Sequence, residues 1–272
     1  MSAGEDITSL PGALVEAARR GARLSVLLFG GSFDPVHRGH VELARAAAAR
    51  LAAEGSGVFR VFIPAAQSPL KAAGPVASAR DRMEMLKLAL ADEEDAAAWG
   101  DEVERAGAAP PASPSYSIDT ALRCRAALEK SVGVEGSARC TLRWLIGADQ
   151  ARSFHRWRRA RELIAAAEPV VMLRAEARGA HELSGAVGAG TPRAEEAAAL
   201  QREMVATGFW SEAELAAWAG RVVMTPLHAA SSTAIRGWLA EGAQGHEREL
   251  AAMLDPRVRR YVREQGVYGG PH

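Results

Sequence analysis

Two histidines stand three residues apart in the stretch GGSFDPVHRGH, Gly30 to His40, directly behind the apolar run Val26-Leu27-Leu28-Phe29. A glycine pair after a strand lets the backbone turn sharply and approach a ligand without a Cβ in the way. Backbone amides exposed in such a turn can bind phosphate. Asp34-Pro35 marks a turn, and His37-Arg38-Gly39-His40 then opens a helix. At that spacing both imidazoles can project past the first helical turn. A helix N-terminus carries partial positive charge and open N–H groups, and cationic side chains there are unfavourable by about 0.3–1 kcal/mol. Crowding two histidines and Arg38 onto that end makes sense if an anion occupies it, and a polyphosphate would supply one. The stretch lacks the Gly-Lys-Ser/Thr ending of a Walker loop, and the dinucleotide fingerprint has no paired histidines. Taken singly, each feature also has a plain structural explanation; what sets them apart is their combination in one strand–turn–helix unit.

The elements that must position this turn read as alternating strands and helices. Strands are expected at 24–29, 58–63, 142–147, 170–173 and 221–224, each a short apolar run. Helices are expected from His40, where Leu43, Ala44, Ala47, Ala48 and Leu51 share a face, and over 80–90, 117–130, 231–239 and 247–263. Ser115 or Ser117 is the expected N-cap of the third of these. Continuous apolar strands alternating with helices predict an α/β fold with a doubly wound parallel sheet of Rossmann-like type, covered by helices on both faces. Ligands then bind at the carboxyl ends of the strands, where the strand order reverses. Residues 1–23 read as an N-terminal extension, with a short helix after Pro11, and 24–272 as one domain. Residues 175–219, rich in Ala, Gly and Glu, read as an inserted helical excursion.

Composition narrows the field. Lys plus Arg and Asp plus Glu both number 33, so no bulk basic field for nucleic acid exists, and the basic run 156–161 reads as a solvated helix face. Cys124 and Cys140 form no zinc spacing. Cys124 reads as a core residue and His155 as a surface one. No stretch approaches the roughly 18 apolar residues of a membrane span, and the opening MSAGEDITSL does not read as a signal peptide, so a cytoplasmic protein is expected.

The stretch 30–40 resembles the HxGH signature of the nucleotidylyltransferase superfamily, and its fuller form resembles the nicotinate mononucleotide adenylyltransferases. Further segments match in order: Phe62-Ile63-Pro64 followed by Pro69-Leu70-Lys71, Ser115 to Thr120, Leu145 to Asp149 followed by Phe154 and Trp157, and Ser231 to Arg236. The final helix, Val258 to Tyr268, matches as well. The resemblance implies transfer of AMP from ATP to nicotinate mononucleotide, giving deamido-NAD and pyrophosphate. It assigns His37, His40 and Arg236 to catalysis on the triphosphate. The backbone at Gly30, Gly31, Ser32 and Phe33, with Lys71, Gly147, Asp149, Ser231, Ser232 and Thr233, would bind ATP. Tyr116 and Ser117 would meet the nicotinate carboxylate, and Phe154 and Trp157 would give a stacking surface for the pyridine ring. Asp149 suits ribose hydroxyls and equally suits the N-cap of the helix that follows it; Asp119 suits its own helix start. Mg²⁺ is expected, held mainly by ATP phosphates, with no metal site built from protein side chains. Leu70 departs from the pattern, which often carries histidine there, and Ser117 replaces a threonine. The 175–219 excursion exceeds that of compact members and could be a homo-oligomer contact, a lid or filler. The same chemistry on nicotinamide mononucleotide or another phosphorylated acceptor stays open, as does a non-catalytic nucleotide-binding regulator. No nucleic-acid or membrane partner is expected.

Overall fold

The computed structural model describes residues 9–66, 74–108, 115–174, 192–225 and 231–269. Six strands form one parallel sheet: β1 (Leu24–Gly31), β2 (Gly57–Pro64), β3 (Ala96–Ala98), β4 (Cys140–Gly147), β5 (Glu168–Arg174) and β6 (Val222–Thr225). Their order is β3-β2-β1-β4-β5-β6, the doubly wound arrangement, with the reversal between β1 and β4. Successive residues of β1 bury on opposite faces. Val26 and Leu28 join one apolar cluster, and Leu27 and Phe29 join the other. A strand buried on both sides has no polar face, which is why these strands read as continuous apolar runs.

The first cluster is covered by helices Gly12–Arg19, Ser117–Ala138 and Ala160–Ala166 and by two helices of the excursion, Pro192–Ala206 and Glu212–Gly220. The second is covered by Arg38–Ala52, Ala79–Ala89, Ser232–Ala240, Glu247–Met253 and Pro256–Glu264. Leu10, Leu14 and Ala18 of the N-terminal segment sit in the same core as β1 and β2. Leu200, Met204, Trp210 and Trp218 of the excursion do so too. Cys124 is fully buried, as expected of a core residue, and burial pushes its thiol up to about 12. Among the described residues, no helix is long and apolar enough to cross a membrane.

Four local expectations need correction. The helix expected over 247–263 is two, Glu247–Met253 and Pro256–Glu264, parted at Leu254 and Asp255, where Asp255 caps the second and Pro256 opens it. The residue that caps helix Ser117–Ala138 is Tyr116, whose side chain makes no capping bond, so neither Ser115 nor Ser117 fills that place. That helix also runs past 130 through a kink at Gly133, where φ is 75°. β3 and helix Asp101–Ala108 occupy a region with no periodic signal. Ala96–Ala98 is a strand only because its backbone pairs with Arg60, Val61 and Phe62 of β2, a tertiary effect that overrides alanine's own preference.

Candidate active site

The switch point opens where two neighbouring strands stop pairing. β1 pairs with β2 all the way to Gly31 and Pro64, but with β4 only as far as Leu28 and Trp144. The last residues of β1 and of β4 therefore part, and Gly30-Gly31 and Gly147 flank the gap. A Cβ on Gly30 would stand 3.3 Å from the Trp144 ring, and one on Gly31 would stand 3.1 Å from the Phe33 ring. The glycines thus answer to packing as well as to any ligand.

Phe33 takes a left-handed backbone, φ 47°, and turns its side chain inward. Its ring is buried among Phe29, Phe62 and His40, meeting the His40 imidazole edge-on at 5.1 Å. Only its backbone faces the turn. His37 is the N-cap of helix Arg38–Ala52, and His40 lies in its first turn. The two imidazoles stack at 3.7 Å with 26° between planes. His40 Nδ1 accepts the His37 backbone N–H at 3.2 Å, so in the neutral ring the proton sits on Nε2 and that nitrogen is the donor.

Helix Ser232–Ala240 docks directly on this turn. Ser232 Oγ donates to the Pro35 carbonyl at 3.0 Å, and Arg236 Nη1 donates to the Asp34 carbonyl at 2.5 Å. Arg236 Nη2 also reaches Thr233 Oγ1 at 3.4 Å. Ser231 is the N-cap residue, without a side-chain capping bond. The guanidinium 196 residues beyond His40 therefore lies against the loop that carries both histidines, and a fresh helix N-terminus points to the same place. Ser232 and Arg236 each give a donor to the loop, which leaves the guanidinium's remaining N–H groups for a ligand.

At the end of β4, Gly147 rather than Asp149 is the N-cap of the short helix Ala148–Arg152, with Gln150 Oε1 accepting the Gly147 N–H at 3.0 Å. That corrects one of the two roles open to Asp149. Its side chain is 98% exposed and pairs with Arg152 at 2.9 Å.

The acceptor candidates gather on the other side of β4. Trp157 is half-buried and stacks on Phe154 at 4.8 Å. The Tyr116 ring lies under the Arg158 guanidinium at 4.7 Å, and Arg159 approaches Asp119 at 3.9 Å, so the 157–159 and 116–119 segments face each other. Phe154 itself is 0% exposed, packed against Trp218 and Trp210. It cannot offer a ring face to a ligand and instead backs Trp157, a correction to the paired stacking surface. Lys71, with Leu70 before it, lies outside the described residues, as does 175–191 of the excursion.

Two charged groups at the site carried no motif signal. Arg82 is buried and donates to the carbonyls of Ser32 (2.9 Å) and Ala65 (2.7 Å), clipping the end of β1 to the end of β2. Burial lowers its guanidinium pKa, with the nearby Asp34 opposing. An arginine beside Met83, Met85 and Leu86 on an apolar helix face was the available clue. Glu102 is buried and accepts the Thr120 hydroxyl at 2.8 Å. Burial raises its carboxyl to about 7, with the buried Asp101 adding to the effect and the Thr120 bond and Arg105 opposing it.

Comparison with known proteins agrees with this fold. The cytidylyltransferase-like family matches residues 28–237. The probable nicotinate-nucleotide adenylyltransferase of Stenotrophomonas maltophilia is 34% identical over 250 residues, spanning 90% of this chain and 97% of that protein. The protein of the same name from Laribacter hongkongensis is 35% identical over 248 residues, 90% of this chain and 95% of its own. Among solved structures, Plasmodium falciparum nicotinic acid mononucleotide adenylyltransferase complexed with APC has a TM-score of 0.51 at 11% identity, covering 90% of this chain and 96% of that one. At that identity the likeness speaks for the fold alone.

Proposed function

We infer, from the premise that this chain belongs to the cytidylyltransferase-like family and within it to the nicotinate-nucleotide adenylyltransferases, that it is an enzyme transferring AMP from ATP to nicotinate mononucleotide. The products are deamido-NAD and pyrophosphate, a step of NAD biosynthesis. A phosphate oxygen of the acceptor attacks the α-phosphorus of ATP. The bond from that phosphorus to the oxygen leading to the β-phosphorus breaks, and its electron pair leaves with pyrophosphate. The attacking phosphate is already anionic, so no general base is required. Catalysis reduces to alignment and to stabilising charge on phosphoryl oxygens.

The observation that carries this reading is the docking of Ser232 and Arg236 on the carbonyls of Pro35 and Asp34. It sets a guanidinium and the first residue of a helix against the loop that leads from the central strand to two stacked imidazoles. His40 Nε2–H and His37 donate to the triphosphate, Arg236 binds its outer phosphates, and the amides from Gly30 to Phe33 close around the nucleotide. Gly147 and Asp149 stand at the ribose, and Tyr116, Ser117 and Trp157 receive the pyridine mononucleotide. Mg²⁺ would neutralise phosphate charge, held by phosphate oxygens and water. That arrangement fits the phosphate turn's own acidic side chain, the Asp34 carboxylate, being taken up by N–H and O–H donors.

The test is pyrophosphate release measured acceptor by acceptor. Nicotinate mononucleotide should turn over with stoichiometric deamido-NAD. Preferential turnover of nicotinamide mononucleotide would move the specificity to the amide, and no turnover of either would defeat the reading.

A further inference from the structure

Asp34 stands where four separate segments meet. Its carboxylate is buried, and Oδ1 accepts the Tyr268 hydroxyl at 2.6 Å and the Ala77 N–H at 3.0 Å. Oδ2 accepts the Val76 N–H at 2.7 Å and lies 3.7 Å from the Arg236 guanidinium. The Asp34 carbonyl receives the stronger contact from the same arginine. These donors come from the approach to helix Ala79–Ala89, from helix Ser232–Ala240 and from the turn after the last helix, 234 residues away. A bare carboxylate three residues before His37 would repel a triphosphate; ringed by four donor groups, this one is screened and fixed. The Tyr268 ring is buried in the second apolar cluster, and desolvation together with the Asp34 bond keeps its hydroxyl protonated far above the usual phenol range. Its hydroxyl is thus a permanent donor at the end of the chain.

We propose that Asp34 is a positioning residue of the triphosphate site, and that the Tyr268 hydroxyl is a C-terminal latch. Through Asp34 it holds Arg236 and the His37–His40 turn in phosphate-binding geometry. The proposal rests on the reading of that turn as the ATP site. Asp34 does not touch the substrate: its oxygens are occupied by the protein. The latch makes ATP affinity, and not acceptor affinity, depend on a residue outside the nucleotide-binding motifs.

The experiment compares Tyr268→Phe, Asp34→Asn and Arg236→Ala in the full chain. Dissociation constants for a non-hydrolysable ATP analogue, KM for each substrate and thermal midpoints are measured. Tyr268→Phe keeps the ring and removes one hydrogen bond. It should weaken analogue binding about fivefold, the equivalent of one such bond, and leave the acceptor KM unchanged. Asp34→Asn should act in the same direction. A lowered midpoint with unaltered analogue affinity in Tyr268→Phe makes the contact merely structural and overturns the latch. Arg236→Ala separates the two levels. If it weakens analogue binding while Tyr268→Phe does not, the latch alone fails; if it too is without effect, the ATP-site reading fails and takes the latch with it.

Discussion

At the level of single residues, labour is divided within the turn. His40 is held by three contacts from two residues, the His37 N–H, the His37 ring and the Phe33 ring, so its orientation is set before any ligand arrives. His40→Ala should lower turnover at least about tenfold, roughly 1.4 kcal/mol of barrier, with the thermal midpoint little changed; near-normal pyrophosphate release would remove this ring from the mechanism. Gly31 tests the support. A methyl there meets the Phe33 ring, which Phe29 and Phe62 hold from the other sides. Gly31→Ala should therefore cost about 1–3 kcal/mol of stability in denaturant titration and reduce turnover with it. Glu102 gives the pH signature. Its carboxyl titrates near 7 in the folded chain against an ordinary 4.5, so the folded state holds the extra proton between those values. The corresponding stability is full below about pH 4.5 and is lost as pH rises through 7. Glu102→Gln should flatten that part of the stability–pH curve, and an unchanged curve would show that Glu102 titrates normally.

At the scale of elements, the sequence discloses the strands better than their partners. Every apolar run from 24–29 to 221–224 became a strand of the parallel sheet, because burial on both faces leaves the same mark whatever the neighbours are. β3 left no mark, being three alanines defined by the edge they pair with. The ordered motifs located the phosphate turn and helix Ser232–Ala240, yet they did not disclose that Ser232 and Arg236 give donors to the Pro35 and Asp34 carbonyls. Contacts between segments about 200 residues apart have no local periodicity to betray them. Phe154 was misread for a related reason: a ring next to a ligand site and a ring one layer beneath it look alike in sequence. The layer beneath is supplied by the excursion, where Trp218 meets Phe154 edge-on at 5.2 Å and Trp210 packs on Trp218 at 5.4 Å. Trp218→Ala should cost about 3–5 kcal/mol in unfolding free energy and raise the acceptor KM more than the ATP KM; an unperturbed stability would detach the excursion from the core.

At the scale of the whole molecule, the doubly wound sheet divides the work between its ends and its flanks. The reversal between β1 and β4 opens the crevice. On the proposed reading, the turn after β1 and helix Ser232–Ala240 form its phosphate side, and the segments after β4 and before helix Ser117–Ala138 form the acceptor side. Zero net charge suits small anionic substrates recognised by a few placed donors, since no broad field is needed to gather them. The most direct measurement is a crystal structure with a non-hydrolysable ATP analogue. Both His40 Nε2 and the Arg236 guanidinium should lie within about 3.2 Å of oxygens of the same triphosphate, in the gap between β1 and β4. A triphosphate bound elsewhere, or one that engages either group without the other, would contradict the account.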